Sequence, residues 1–382
     1  MSELGVIRSD VVGSFLRPAG LKEIRLRYDE GKAGADELRT AQEEAIRQVV
    51  RLQEEVGLEV VTDGEYRRLN FQDSFGDSVS GFKAERPNWK SVEGQTQGGE
   101  ALRRWEIPPE LEKGAAVLTH RRSVVERLRL VRNIPLDEYL FVSQAARKPT
   151  KVTLIGPDRI SQRFDYENST SVYSGMDEFL ADVVRIEREM IDGLVRAGCR
   201  YIQVDAPGYT AYVDAPSMEA MRKRGEDPMK NFVRSLKADN EVLRGCTGVT
   251  FGIHLCRGNQ RSMWHREGPY DAIAEHFFSE LNHDRFLLEY DSFRAGTFAP
   301  LRFVPKGKVV VLGLVSTKVP EIETIDVLRR RIEEASQYVS MDQLAISPQC
   351  GFASDVAGNL ISEDDQKRKL EVVVETARRV WG

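Results

Sequence analysis

Two soft side chains stand two positions apart in "GIHLCRGN" (252–259): His254, one of five histidines, and Cys256, one of four cysteines. On a β-strand, residues i and i+2 point to the same face, so the imidazole and the thiol would face one space together. Two further residues of suitable type close later apolar runs: Glu289 in "FLLEYD" and Cys350 in "LAISPQC". Two sulfurs, one imidazole and one carboxylate suit Zn²⁺, which prefers tetrahedral N and S ligation. Alone, a His-x-Cys pair is more often a satisfied core histidine beside a buried thiol, and it is far from a CxxC…CxxC signal. Cys199, which follows a helix-ending glycine, and Cys246, in "LRGCTGVT", read as structural.

Carboxylates form a second group. Glu65 and Asp63 lie in "TDGEYRR" and Asp205 in "YIQVDAP". The bland alternatives are that Asp63 and Glu65 cap the next helix or pair with Arg67 and Arg68, and that Asp205 closes a turn. At the mouth of a fold these acids would instead hold an amine or a general-acid proton, which makes Glu65 and Asp205 catalytic and substrate-binding candidates. Ser14 and Lys318 also fall near the ends of apolar runs. Arg17, Arg257 and Arg261 would supply cations at the mouth. There is no G-x-G-x-x-G, no Walker loop and no G-x-S-x-G elbow, so nucleotide cofactors and serine hydrolysis have no motif behind them. "GNQRS" (258–262) offers a weak anion-binding turn at most, and "RLRLVR" (127–132) reads as a solvated helix face rather than a nucleic-acid patch.

Eight short β-rich runs must position these residues: 11–15, 59–65, 151–157, 201–207, 251–256, 286–291, 309–316 and 344–350. Between them lie amphipathic stretches, such as 35–57 and 176–198. In the latter, Phe179, Val183, Ile186, Met190 and Leu194 recur at helical spacing. Both stretches end in glycine just before a strand, as a C-capping glycine would. Strands alternating with helices predict an α/β fold, a (β/α)₈ TIM barrel, with 1–382 as a single catalytic domain. In such a barrel the site lies at the C-terminal strand ends, where the candidate residues fall. Residues of about 82–145, rich in charge, Gly and Pro, break the rhythm and predict an inserted loop and hairpin.

With 382 residues, 41% hydrophobic and 30% charged, the chain can bury a sizeable core. Its formal net charge of -5 gives no basic field for nucleic acid or anionic lipid. The longest apolar run, "VVVLGLV" (309–315), is too short to span a bilayer. "MSELGVIRSD" lacks the pattern of a signal peptide, so the expectation is a cytoplasmic protein with reduced thiols and an idle "NST" at 168–170.

Taken in order, "VVGSFLRP", "VVTDGEYRR", "YIQVDAP", "IHLC", "LLEYDS", "GLVSTK" and "ISPQCGF" resemble the catalytic barrel of the cobalamin-independent methionine synthase family. The resemblance implies a (β/α)₈ barrel whose zinc activates a thiol for alkyl transfer. It implies His254, Cys256, Glu289 and Cys350 as zinc ligands, Glu65 and Asp205 at the amino group of homocysteine, and Ser14 near its carboxylate. The donor would be methyltetrahydrofolate, a methylcorrinoid or another methyl carrier. This chain departs from the family in three ways. It has no second barrel-like half, "IGPDRISQRF" lacks the tryptophan offered to the pterin, and Ala206 replaces the usual acid. An epoxyalkane:coenzyme M transferase acting on a different thiol is the alternative among single-barrel relatives. A non-catalytic zinc-binding barrel and a metal-free porphyrin decarboxylase remain as readings from other classes.

Overall fold

The computed structural model describes residues 4, 6–83 and 122–382. Six parallel strands, β3 (Lys151–Ile155), β4 (Tyr201–Asp205), β5 (Thr250–Leu255), β6 (Arg285–Glu289), β7 (Val309–Val315) and β8 (Leu344–Pro348), pair in sequence order. Each is followed by helical structure packed on the sheet, the architecture expected of alternating β and α runs. All five residues of β3, β4, β6 and β8 are buried, as strands covered on both faces must be. The helix Met176–Arg196 buries Phe179, Val183, Ile186, Met190 and Leu194, the residues whose spacing predicted it. They pack against Val152, Leu154 and Ile202 of β3 and β4. Each fully buried side chain of this kind contributes about 1.5–3 kcal/mol. The helix Ala35–Val56 stops at Gly57, whose φ of 93° is the left-handed cap that glycine alone adopts without strain.

Two of the eight expected strands are not formed as ladders. Segments 11–15 and 59–65 lie between β8 and β3 but make only isolated parallel bridges, Ser14 with Gly64 and Val61 with Thr150, and Ser9, just before the first segment, bridges Ile346. The reason is that side chains take the backbone groups a neighbouring strand would otherwise pair. Glu59 Oε2 accepts from Arg8 N and Ser9 N at 2.6 Å each. Thr62 Oγ1 donates to Gly13 O at 2.6 Å, Gln203 Nε2 donates to Val12 O at 2.7 Å, and Lys151 Nζ donates to Val11 O.

The stretch expected to be inserted begins and ends differently as well. An antiparallel pair, β1 (Val79–Phe82) and β2 (Val124–Leu130), flanks residues 84–121, which lie outside the described residues. Residues 134–145 are not loop but a helix, Ile134–Ala145, started by Asn133, whose side chain accepts from Leu136 N at 3.2 Å, with a proline in the first turn.

Beneath the strand ends lies a buried ionic hub. Asp10 Oδ1 meets Lys151 Nζ at 2.8 Å, and its Oδ2 meets Arg285 Nη2 at 3.2 Å and Tyr201 Oη at 2.7 Å. Burial pushes the Asp10 carboxyl up, but Lys151 and Arg285 outweigh it and hold it below its usual range. Removing one partner would strand two buried cations, so Asp10→Asn should cost about 3–5 kcal/mol, read as a lower denaturant midpoint. His283 supplies a pH test. It is fully buried, neither ring nitrogen has a hydrogen-bond partner among the described residues, and burial, with Lys308 adding to it, pushes its pKa down from 6.5 to about 3. The unfolded chain therefore takes a proton below about pH 6.5 that the folded chain refuses, and stability falls as pH drops from there toward 3. In urea titrations across that window, His283→Leu should lose stability with a shallower slope than the wild type.

Candidate metal centre

Parallel register delivers the first pair of side chains. Asp205 stands opposite His254 on β4 and β5, and His254 stands opposite Leu287 on β5 and β6. The Nδ1 of His254 lies 3.2 Å from the Leu287 carbonyl, to which it donates, leaving Nε2 as the nitrogen with a free lone pair. That Nε2 is buried, has no oxygen or nitrogen partner among the described residues, and faces the Cys256 sulfur. Cys256 follows the last residue of β5, and Cys350 lies two residues beyond β8. The donor atoms of His254, Cys256 and Cys350 all lie within 4.8 Å of one another, and all three residues are buried.

Electrostatics fit a ligand cluster. The Cys256 thiol is held well below its usual range, first by a hydrogen bond from Cys350 and then by His254, against the effect of burial. Cys350 is pushed well above its range by the same bond and by burial. One thiolate and one thiol thus share a proton that a cation would displace. For His254, burial lowers the pKa, but the Cys256 sulfur and then Asp205 and Glu289 hold it up.

Glu289, the fourth expected ligand, stands outside the 4.8 Å group. Its Oε2 accepts from Arg257 N at 2.7 Å, one residue from Cys256, and its Oε1 meets Arg294 Nη2 at 3.3 Å. Burial would raise its pKa, but Lys318, Arg257 and Arg294 hold it down, so it is ionised. Lys318 is buried with no hydrogen-bond partner for Nζ among the described residues, a cation set against Glu289, Asp291 and Cys350.

Above the cluster, the described residues enclose a cavity of about 740 Å³, within the usual range of small-molecule sites. Ser14, Glu65, Asp205, His254, Cys256 and Cys350 all line it. Glu65 is aimed by an unusual backbone. Its φ is 58°, just after Gly64 at 73°, and Asp63 Oδ1 accepts from Glu65 N at 2.9 Å to close the turn. Asp63 is thus a turn residue, neither a helix cap nor an ion-pair partner of Arg67 or Arg68. Glu65 Oε1 accepts from Thr153 Oγ1 at 2.8 Å and lies 3.7 Å from Arg68, while Oε2 is buried without a partner. Asp205 Oδ1 accepts from Gln203 Nε2 at 2.7 Å. Its pKa is raised to about 7 by burial and by Glu65, against the pull of His254. Two buried carboxylates facing one space have the chemistry to hold a cationic group.

The cations expected at the mouth are elsewhere. Arg17 donates to the carbonyls of Glu65, Arg68, Ala353 and Asp355, and Arg257 to Tyr270 and to the carbonyls of Gly268 and Glu289. Neither lines the cavity, nor does Arg261. "GNQRS" is a locking turn: Asn259 Nδ2 donates to Gly351 O at 2.6 Å, and Ser262 N donates to Asn359 at 3.0 Å. The arginines that do line the cavity are Arg159, Arg163, Arg224, Arg234 and Arg266. The first two sit in "PDRISQRF", a segment that drew notice only for a missing tryptophan. Cys199 and Cys246 stand apart from the cluster.

The model of the cobalamin-independent synthase catalytic domain matches residues 8–100 and 134–378. The uncharacterized protein YxjH of Bacillus subtilis (strain 168) is 35% identical over 98% of this chain and 94% of its own length. The methionine synthase of Pyrococcus abyssi (strain GE5 / Orsay) is 25% identical over 92% of this chain and 87% of its own. The crystal structure of a putative vitamin-B12 independent methionine synthase from Listeria monocytogenes superimposes with a TM-score of 0.74 at 25% identity, covering both chains fully. A further prediction concerns Gly13, where a Cβ would lie 2.7 Å from Glu65 Oε1 and 2.9 Å from Thr153 Cγ2. Gly13→Ala should cost about 1–3 kcal/mol. Its crystal structure should show the Glu65 carboxylate displaced from Thr153, with the His254, Cys256 and Cys350 cluster unmoved.

Proposed function

We propose, since the chain belongs to the cobalamin-independent synthase catalytic-domain family, that it is a zinc-dependent alkyltransferase that methylates the thiol of homocysteine to give methionine. The observation that carries this reading is the buried convergence of one imidazole and two thiols on the wall of a substrate-sized cavity. The donor set fits zinc: one buried nitrogen facing a sulfur, and two sulfurs sharing a proton. His254, Cys256 and Cys350 would hold the ion, and Glu289, bonded to the backbone next to Cys256, would be the fourth donor. When bound, zinc would supply the acidity that turns an incoming thiol into a thiolate at neutral pH.

The chain's own residues do the rest. Glu65 and Asp205 would grip the ammonium of the amino-acid thiol, and Ser14 would stand at its carboxylate. That grip orients the sulfur, and the cavity walls limit water around it. In the transfer, a sulfur–carbon bond forms as the donor's bond to the same carbon breaks, and the leaving group keeps the electron pair. Methyltetrahydrofolate and a methylcorrinoid are the donors the family resemblance offers.

The same reading takes the three isolated bridges as the closing seams of a (β/α)₈ barrel, with residues 1–382 as one catalytic unit. No helix among the described residues is long and apolar enough to cross a membrane.

Purified protein should hold one zinc per chain by metal analysis. Cys350→Ser should lose both zinc and methionine formation; a zinc-free wild type, or a Cys350→Ser variant that keeps metal and activity, would overturn the assignment. Glu65→Gln should keep its zinc but bind homocysteine about 10- to 100-fold more weakly, the usual scale for one charged hydrogen bond. X-ray absorption should show a new sulfur neighbour at the zinc on adding homocysteine, and no change would leave only a structural metal.

A further inference from the structure

One buried cation has no part in the transfer as described. Lys318 lies three residues past β7, is fully buried, and its Nζ has no hydrogen-bond partner among the described residues. A buried charge without a partner is costly, so its presence calls for a reason. Its backbone is firmly placed. Lys318 N donates to Ser316 Oγ at 3.3 Å, and Thr317 donates from N and Oγ1 to Gln349 Oε1 at 3.1 and 2.5 Å. Asn359 Nδ2 closes the bend on Thr317 O at 2.7 Å. The stem of Lys318 therefore starts from a seam shared with the residue before Cys350.

The charge that Lys318 meets is Glu289. Of the cations acting on that carboxylate it acts most strongly, ahead of Arg257 and Arg294, and it does so through space, with no hydrogen bond to it. The other two are committed elsewhere. Arg294 Nη2 divides itself between Glu289 at 3.3 Å and Asp291 at 3.2 Å. The Arg257 guanidinium is taken by Tyr270 and two carbonyls, and its backbone N–H is what reaches Glu289 Oε2, at 2.7 Å. Asp291, the second acid within reach of Lys318, already has Arg294.

Position separates these groups from the donor cluster. His254, Cys256 and Cys350 line the cavity, whereas Glu289, Arg294 and Lys318 do not. Glu289 also stands outside the 4.8 Å group of donor atoms. A sulfur arriving from the cavity thus meets the imidazole and the two thiols, while the carboxylate lies off the cavity among its cations.

We propose that Lys318 is a positioning residue that holds the Glu289 carboxylate back from His254, Cys256 and Cys350, making it the one loosely held donor and keeping the fourth position open to the incoming thiol. The inference rests on the alkyl-transfer reading above and adds the residue that sets which donor yields.

The test compares zinc-loaded wild type, Lys318→Met and Lys318→Gln by calorimetric titration with homocysteine and by zinc X-ray absorption. In the wild type, homocysteine should add a sulfur neighbour and remove an oxygen neighbour. The neutral variants free Glu289 to close on the metal. In them the oxygen neighbour should persist, and homocysteine should bind about tenfold more weakly. They should also hold zinc at least as tightly as the wild type in chelator competition, because a positive charge has left the surroundings of a dication. If Lys318→Met fails to fold, Lys318→Gln carries the same readouts.

Wild-type exchange and affinity in the neutral variants would overturn the proposal. Weaker zinc binding by them would overturn it too, because Lys318 would then support the donor set instead of restraining one donor. So would a wild type that gains the sulfur without losing the oxygen. A wild type that gains no sulfur at all overturns the alkyl-transfer reading, and this one with it.

Discussion

Much of this fold hangs on one buried carboxylate. Asp10 gathers an ammonium from β3, a guanidinium from β6 and a phenol from β4, all in the interior. Charges buried in this way are worth little as isolated pairs, since desolvation cancels most of the attraction. Their value here is geometric. Segment 8–15 has few ladder hydrogen bonds of its own, and side-chain contacts reaching from the strands fix its course. Without them, Gly13 and Ser14 would not be held against Glu65. Gln203 carries the same network upward: it accepts from Lys151 at 2.8 Å and donates both to Val12 O and to Asp205. The floor of the fold and the carboxylate of the cavity are therefore one connected hydrogen-bonded system.

The cluster of His254, Cys256 and Cys350 depends on a simpler constraint, the register of parallel strands. Once Asp205, His254 and Leu287 share a level, the carbonyl of Leu287 takes one ring nitrogen and turns the other toward the sulfurs. No loop has to search for this arrangement. Cys256 lies one residue past β5, and only Cys350 lies farther, two residues past β8. The segment of Cys350 is tied to the mouth by Asn259 bonding to Gly351 and by Phe352 N bonding to Ser14 O.

The sequence made the strands from β3 to β8 legible because each is a continuous apolar run with its polar residue at the C-terminal end. His254, Cys256 and Cys350 could be set on one wall for the same reason. The first two strands misled because "VVGSF" and "EVVTDGE" have strand composition, while side chains take several of their backbone groups: Thr62, Gln203 and Lys151 for the first, Gln53 and Arg17 for the second. No local pattern announces such partners. Ile134–Ala145 went unseen because an interrupted rhythm hid its Asn133 cap and first-turn proline. The arginines were misassigned for another reason: a guanidinium at the end of a long side chain can turn inward to carbonyls, as Arg17 and Arg257 do, or face the cavity, as Arg159 does. Spacing does not decide between these fates.

The left-handed backbone at Glu65 has a consequence for how this chain can change. A non-glycine residue there costs about 1–2 kcal/mol relative to glycine. Glycine or asparagine at position 65 would relax the turn while discarding the carboxylate. Selection for heat resistance alone would therefore favour exchanging this acid, and selection for a carboxylate on the cavity wall would oppose it. A library screened only for folding should accumulate neutral residues at 65, and the position would then read as a trade between endurance and recognition rather than as a defect of the turn.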